Sequence, residues 1–435
     1  MKINTVCVIG LGYVGLTLAT ILAKSGFEVF GIEKDKKKLS LLKKRKPHFH
    51  EKGLAELLKK TEGKQLHLLQ NIPSNKRIDC FIIAVSTPVD EITKEPKIDS
   101  IIAATQEIAP YVTSGQLVVL RSTIPVGATR KIVLPILKKR SEHFLLSFCP
   151  ERTAEGKALE ELKTLPQVVG GLDQASTDAS VELFSKISPL IVGVNSLETA
   201  EIVKLVNNSY RDLVFAYANQ VAFICKSLGL NAKEVIDAAN LGYPRSDVKS
   251  PGVVGGFCLE KDPHILMKSA KYDVSLIKAA KELNESVVGH ILHAVQRHLK
   301  ARGKDSTTAR VFICGFAFKG EPETDDLRSS QAIKLLKLLK DKGFSNIYGH
   351  DPLVTKKLLR GLGIRPVSIG AGFKDADVAI FMNNHKSYSG LKIEPLSKKM
   401  RKGGLIFDGW HMFYDQLWDS NYVKYESLGF SNKKR

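Results

Sequence analysis

Thr5-Val6-Cys7-Val8-Ile9-Gly10-Leu11-Gly12-Tyr13-Val14-Gly15 is the stretch that decides the fold. Its first five residues are an apolar, β-branched run that reads as a buried strand, and Leu16 to Lys24 has helical spacing, so the glycines occupy the turn between strand and helix. In that context Gly-x-Gly-x-x-Gly is a dinucleotide fingerprint. Gly10 permits a tight turn, Gly12 lets backbone approach a pyrophosphate, Gly15 allows close helix packing, and the helix N-terminus favours negative charge. A second strand, Glu28-Val29-Phe30-Gly31-Ile32, ends at Glu33, roughly 20 residues on, where a carboxylate accepts from an adenosine ribose hydroxyl. An acid there disfavours a 2′-phosphate, so the expected cofactor is NAD in preference to NADP. The Lys36-Lys37-Lys38 run that follows reads as a solvated helix face.

Outward from this unit, strands continue to alternate with helices. Cys80 to Val85 enters Ser86-Thr87-Pro88, and Leu117 to Leu120 enters Arg121-Ser122-Thr123-Ile124-Pro125-Val126-Gly127. Phe144 to Phe148 leads into Cys149-Pro150-Glu151-Arg152. Ligands of open α/β sheets bind outside the carboxyl ends of strands, which makes Thr123 and Glu151 candidates for the site. A long helical pattern then runs from Glu198 to Leu228, with Lys204 and Asn208 spaced to share one face, and another runs from Val274 to Lys300. After a linker at Arg302 to Thr308, a second α/β pattern begins at Ala309, with strands at Asn346 to Tyr348, Val378 to Phe381 and Gly404 to Phe407. The expected fold is α/β, with two Rossmann-like domains joined by a central helical region. Residues 1–196 would form the dinucleotide-binding domain, 197–300 the helical domain with the cysteine loop and the oligomer interface, and 301–435 the second Rossmann-like domain, suited to a nucleotide-like ligand.

Between the two long helices lies Gly255-Gly256-Phe257-Cys258-Leu259-Glu260-Lys261-Asp262-Pro263. Glycines let backbone approach a ligand, and a nearby ammonium favours the thiolate, so Cys258 reads as a nucleophile. Cys7, Cys80, Cys149 and Cys314 lie in or beside apolar strands and Cys225 in a helix, where a thiol packs as a small hydrophobe.

Six cysteines without a Cys-x-x-Cys pair point to a reducing compartment and away from a metal centre. With 435 residues and 43% hydrophobic composition the chain can bury two or three cores. Glycines and a tyrosine break the apolar run after Lys2, so it is not expected to be a signal peptide, and no run approaches the roughly 20 apolar residues of a membrane span. The formal net charge of +20 suits anionic ligands. Its lysines are scattered along helices with no groove-reading module, so nucleic acid is not an expected partner.

These residues resemble the nucleotide-sugar 6-dehydrogenases, the UDP-glucose/GDP-mannose dehydrogenase family. The likeness is carried by Gly10 to Gly15, Ser86-Thr87-Pro88, Ser122 to Gly127, Pro150-Glu151, Thr199-Ala200-Glu201 with Lys204 and Asn208, Gly255 to Asp262, Phe318-Lys319 and Asp326-Leu327-Arg328-Ser329. The resemblance implies a cytoplasmic enzyme that oxidises a sugar C6 alcohol to a carboxylate with two NAD+, as a homodimer or larger. It implies that Cys258 adds to the intermediate aldehyde, Lys204 and Asn208 stabilise the oxyanion, Asp262 and Glu151 handle protons, and Thr123 positions a water. Tyr13, Val14, Ser86, Thr87, Pro88, Ser122, Thr123, Lys261 and Arg328 would join the glycines and Glu33 around NAD. Glu151, Arg152, Lys204, Asn208, Arg211, Arg245, Gly255, Phe318 and Lys319 would meet a UDP-sugar.

Cys149-Pro150-Glu151-Arg152, Asn208 to Asp212 and Tyr243-Pro244-Arg245 look more like the N-acetylhexosamine branch, which favours UDP-N-acetylmannosamine or UDP-N-acetylglucosamine over UDP-glucose or GDP-mannose. Three features depart from the family pattern: Gly320 to Thr324 is longer than the usual loop, Trp410-His411 stands where Arg-Asn is common, and Phe257 stands where the favoured branch often has His. A one-step 3-hydroxyacid dehydrogenase shares the first domain and the Lys/Asn helix but needs neither Cys258 nor the second α/β unit. A non-enzymatic NAD-binding protein is the remaining alternative.

Overall fold

The computed structural model describes residues 2–431. The chain divides into two compact units, one running to Asn208 and including Lys261–Asp273, the other made of Ser209–Glu260 and Val274 onward. The division passes through two helices, Leu197–Ser227 and Phe257–Ser269.

The first unit holds an eight-stranded sheet: β1 (Thr5–Ile9), β2 (Glu28–Ile32), β3 (Leu66–Leu69), β4 (Cys80–Ile83), β5 (Leu117–Leu120), β6 (Leu145–Phe148), β7 (Gln167–Gly171) and β8 (Ile191–Val194). Their order is β3-β2-β1-β4-β5-β6-β7-β8, parallel throughout except between β6 and β7. Period-two alternation sends Val6, Val8, Ile82 and Val119 into one core and Cys7, Ile9, Phe81 and Leu120 into the other. Both faces are covered, which is why these strands read as continuous apolar runs. β1 lies between β2 and β4, so the connections diverge there and a crevice opens at the strand ends.

The second unit repeats the plan with β9 (Val311–Cys314), β10 (Ile347–His350), β11 (Arg365–Pro366), β12 (Val378–Phe381), β13 (Leu405–Asp408), β14 (Lys424–Ser427) and β15 (Phe430–Ser431). The order is β11-β10-β9-β12-β13-β14-β15, with only β14 and β15 antiparallel. Its switch point falls between β9 and β12. The expected second helical stretch forms as Ser275–Ala301, and the helix after β9 as Gln331–Asp341. The fold is thus two α/β sheets joined by a helical region, as the sequence indicates. Among the described residues, no helix is long and apolar enough to cross a membrane.

Candidate active site

The fingerprint turn sits at the first switch point. Gly10 has φ +89°, and a Cβ on Gly15 would lie 1.8 Å from the Gly10 carbonyl oxygen, so both positions demand glycine. A Cβ on Gly12 would meet no protein atom within 4 Å. Glycine there serves the space outside the helix Tyr13–Lys24, where a pyrophosphate would approach the N-terminus. The Glu33 carboxylate accepts from the Leu11 N–H at 3.3 Å and the Asp35 N–H at 2.9 Å, which fixes it beside the turn with lone pairs left for a ribose hydroxyl. Tyr13 stacks on Phe49 at 4.1 Å, Ser86 and Pro88 are exposed, and Val14 is half-buried. Thr87 donates to the Thr123 carbonyl at 2.5 Å and Ser122 to the Val85 carbonyl at 2.7 Å, so the loops after β4 and β5 are joined. The residues present fit a bound dinucleotide.

Beyond β5 lies a buried ion pair that sequence reasoning did not single out. Arg121, with no side-chain exposure, donates from Nε and Nη2 to Glu151 Oε2 at 3.1 and 2.9 Å, and from Nη2 to Gln167 Oε1 at 2.9 Å. Its Nη1 reaches Cys149 Sγ at 3.0 Å. The other Glu151 oxygen accepts from the N–H groups of Arg152 and Thr153. Burial works to raise the Glu151 carboxyl, but the Arg121 charge, the Thr153 N–H and Lys204 outweigh it and hold it below its ordinary value. The expectation that Glu151 handles a proton therefore meets a carboxylate paired with a buried guanidinium and reduced in proton affinity. Its backbone carbonyl does face the site: Lys204, buried on the helix Leu197–Ser227, donates to it at 2.7 Å.

One turn along that helix, Asn208 donates to Asp262 Oδ2 at 2.6 Å, while Lys261 meets Asp262 Oδ1 at 2.6 Å. Asp262 is fully buried between them. Lys261, expected at the cofactor, places its ammonium on this carboxylate. Glu201, which the sequence marks only as part of the family likeness and to which it gives no role, accepts from the Gly127 N–H at 2.5 Å and the Thr129 N–H at 2.9 Å. It ties the Thr123 loop to the helix that carries Lys204, and burial raises its pKa. The first unit thus brings together Thr123, Glu151, Lys204, Asn208 and Asp262. The Arg152 guanidinium donates to the Pro166 carbonyl.

The second unit presents the cysteine. Cys258 is exposed, in the first turn of the helix Phe257–Ser269, whose N-terminus favours a thiolate. The other five cysteines are buried; burial pushes Cys7, Cys80 and Cys314 well up, and Cys149 up to about 11. Gly256 has φ +103° and packs under Phe318, where a Cβ would lie 2.5 Å from the ring; its N–H donates to the Ser329 carbonyl at 3.2 Å. A Cβ on Gly255 would lie 2.9 Å from the same carbonyl. The Arg328 guanidinium grips Asp326, with Nε at 2.8 Å and Nη2 at 2.6 Å from Oδ2, and stands 4.6 Å over the Phe257 ring. Lys319 follows β9 with its ammonium 5.4 Å from the Phe318 ring centre. Arg211 is exposed, and Arg245 stacks on Tyr243 at 4.7 Å, also at the surface.

At the second switch point Asp351 accepts from the Phe316 and Ala317 N–H groups at 2.7 and 2.9 Å, the counterpart of Glu33 in the first unit. Its position just after the second strand of a second Rossmann-like pattern was the signal that could have found it.

Residues 4–188 match the NAD binding domain of the UDP-glucose/GDP-mannose dehydrogenase family, 198–286 its central domain and 312–415 its UDP binding domain. The UDP-N-acetyl-D-mannosamine dehydrogenase of Methanocaldococcus jannaschii is 32% identical over 430 residues, covering 98% of this chain and 96% of that protein. The enzyme of the same name from Campylobacter jejuni is 31% identical over 402 residues, covering 89% and 97%. A solved structure of UDP-D-ManNAc dehydrogenase from Pyrococcus horikoshii superposes with a TM-score of 0.89 at 28% identity, covering 98% of this chain and 99% of that one.

Proposed function

Because this chain belongs to the UDP-glucose/GDP-mannose dehydrogenase family, we propose that it oxidises the C6 alcohol of a UDP-N-acetylhexosamine, UDP-N-acetylmannosamine before UDP-N-acetylglucosamine, to the uronate. The observation that carries the four-electron reading is Cys258, the exposed cysteine among five buried ones, at a helix N-terminus on glycine-bent backbone. A one-step hydroxyacid dehydrogenase has no use for such a thiol or for a UDP binding domain.

NAD+, when bound against Gly10 to Gly15, Glu33 and the loops after β4 and β5, accepts a hydride, and two equivalents take a primary alcohol to the carboxylate level. Asp262, held between Asn208 and Lys261, takes the alcohol proton in the first oxidation. The resulting aldehyde cannot lose a second hydride until a nucleophile adds. The Cys258 thiolate forms the S–C bond, and the carbonyl oxygen takes a proton to give a thiohemiacetal; loss of hydride and proton leaves a thioester. Water then adds, the C–S bond breaks, and the thiol is regenerated with the carboxylate. Lys204 steadies the oxyanion in both tetrahedral species, its ammonium fixed by the Glu151 carbonyl, with Asn208 one turn away. Thr123 positions the water. Glu151 contributes its carbonyl to Lys204 and its carboxylate to Arg121, so it holds the site without itself carrying a proton. Lys319 and Phe318, in the loop that follows β9, serve the nucleotide diphosphate.

A homodimer completes the reading. Tyr210, Tyr217 and Ile224 are exposed at helical spacing along the second-unit part of the long helix, with Leu228 exposed just past its end, an apolar stripe that a second copy would cover. A reducing, cytoplasmic setting keeps the Cys258 sulfur at the thiol level.

The test is the end-point absorbance of NADH formed from limiting UDP-N-acetylmannosamine, UDP-N-acetylglucosamine, UDP-glucose and GDP-mannose, with Cys258→Ser alongside. Two NADH per sugar from an N-acetylhexosamine, lost in the variant, supports the reading. One NADH regardless of Cys258, or none from any sugar, overturns it.

A further inference from the structure

Glu260 stands two residues after Cys258, in the first turn of the same helix, and its carboxylate is where three elements meet. Oε1 accepts from Gln331 Nε2 at 2.5 Å and from Lys334 Nζ at 2.9 Å, both on the helix Gln331–Asp341. Oε2 lies 3.6 Å from Lys281 Nζ on the helix Ser275–Ala301. Lys281 is itself buried, with 4% side-chain exposure; it also reaches Glu285 at 3.5 Å, and Asp212 of the long helix faces the same ammonium. On the other side of the cysteine, Gly256 donates to the Ser329 carbonyl. The nucleophile is thus tied, two residues before and two after, to the single segment 329–334.

This arrangement has an electrostatic side. A carboxylate two residues along the chain from a thiol opposes its ionisation through its field, unless cations meet that carboxylate first. Lys334 and Lys281 do so here, and Arg328 adds a further positive charge over the ring of Phe257. The Glu260 charge is therefore spent on fastening the helix, and the N-terminal field at Cys258 is left largely intact.

We propose that Glu260 is a positioning residue for Cys258: it pins the first turn of the cysteine helix to the two neighbouring helices while Lys334 and Lys281 cancel its charge. The proposal deepens the reading of Cys258 as nucleophile and rests on it. It applies to a residue outside the reacting groups, and it assigns Lys334 a part that its largely exposed position would not suggest.

Two substitutions with opposite signs test it. Alkylation of the full-length protein by iodoacetamide, followed by intact mass across a pH series without substrate, reads Cys258, because the other cysteines are buried. Glu260→Gln removes a negative charge and shifts the profile to lower pH, speeding alkylation below the midpoint about threefold, as expected for a screened charge near the surface. Lys334→Met exposes the thiol to an under-compensated carboxylate and shifts the profile about as far the other way. The double variant returns close to wild type. A loop that had merely loosened would move both single variants in the same direction, and that result, or no shift in either, overturns the proposal. Two NADH per sugar retained by Cys258→Ser would instead sink the nucleophile reading, whereas inactive Cys258→Ser with unshifted Glu260 and Lys334 profiles sinks the positioning role alone.

Discussion

Glu151→Gln separates holding from proton transfer. The substitution keeps the shape and the backbone carbonyl that receives Lys204 but leaves the Arg121 guanidinium, which has no side-chain exposure, facing only neutral partners in Cys149 and Gln167. Removing one member of a buried pair costs about 3–5 kcal/mol, because the other charge stays behind without compensation. For a folding unit of this size that amounts to a fall in Tm of about 10 °C by calorimetry. Below the transition, kcat should stay within about tenfold of wild type. Arg121→Met with Glu151→Leu, which removes both charges, should recover most of the lost stability.

The pH dependence follows from the direction of the shift. Arg121, the Thr153 N–H and Lys204 overcome burial and hold the Glu151 carboxyl below its ordinary 4.5. A carboxyl depressed on folding adds stability that is fully present above that unfolded value and is lost as pH falls through the folded one. The gap in Tm between wild type and Glu151→Gln should therefore be widest near neutrality and narrow in acid below 4.5. A kcat lowered 100-fold or more, at about the scale of a lost general acid or base, with Tm unchanged would refute this account and restore Glu151 as a proton carrier.

Gly12→Ala and Gly15→Ala should part company. The Gly12 backbone is extended, at φ −75° and ψ −161°, and its added methyl meets no protein atom, so Tm should hold while NAD affinity by fluorescence titration falls at least about tenfold as the methyl enters the pyrophosphate's space. Gly15→Ala drives a methyl to 1.8 Å from the Gly10 carbonyl oxygen, so it should lower Tm as well as NAD binding, by about 1–3 kcal/mol or more. Tyr217→Glu, on the exposed stripe of the long helix, should yield monomers by light scattering after gel filtration; an unchanged mass would place the subunit contact elsewhere.

The parts of this fold that were legible in the sequence are those in which local pattern and global position agree. β1, β4, β5, β9, β12 and β13 are central and covered on both faces, and apart from Thr5 at the start of β1 and Asp408 at the end of β13 they are apolar throughout. β7 ends in Gly170 and Gly171, where a Cβ would lie 2.2 Å from the Ser196 carbonyl oxygen and 2.5 Å from the Thr177 N respectively; tight packing there demands glycine, which erases the strand signal. β8 stands at the sheet edge with Gly193 exposed and alternates weakly. β11 is two residues long and includes Pro366. The site divides in the same way. Cys258 and the fingerprint glycines announce themselves because backbone conformation and chemistry coincide within a few residues. Arg121 meets Glu151 across 30 residues, and Glu201 meets Gly127 across 74, so each reads in isolation as an ordinary charge.

The departures from the family pattern make the same point in reverse. Phe257 looks like a lost polar residue beside the nucleophile, yet its ring is the platform for Arg328, which Asp326 grips from the other side. A stacked, bidentate guanidinium has its orientation fixed by two neighbours and loses little further freedom when a ligand meets it. Trp410 looks like a missing arginine, yet its indole donates to the Met382 carbonyl at 3.1 Å, and its ring fills the space over Gly252, where a Cβ would come within 2.6 Å of it. Gly252 in turn exchanges hydrogen bonds with Asn219, its N–H to Oδ1 at 2.9 Å and its carbonyl from Nδ2 at 3.2 Å. Tryptophan at 410 and glycine at 252 are thus one choice made at two positions, and that choice helps fix the backbone a few residues before Gly255, Gly256 and Cys258. A substitution that looks unmatched along the chain is matched across space, and only the folded contact shows which residue it was matched to.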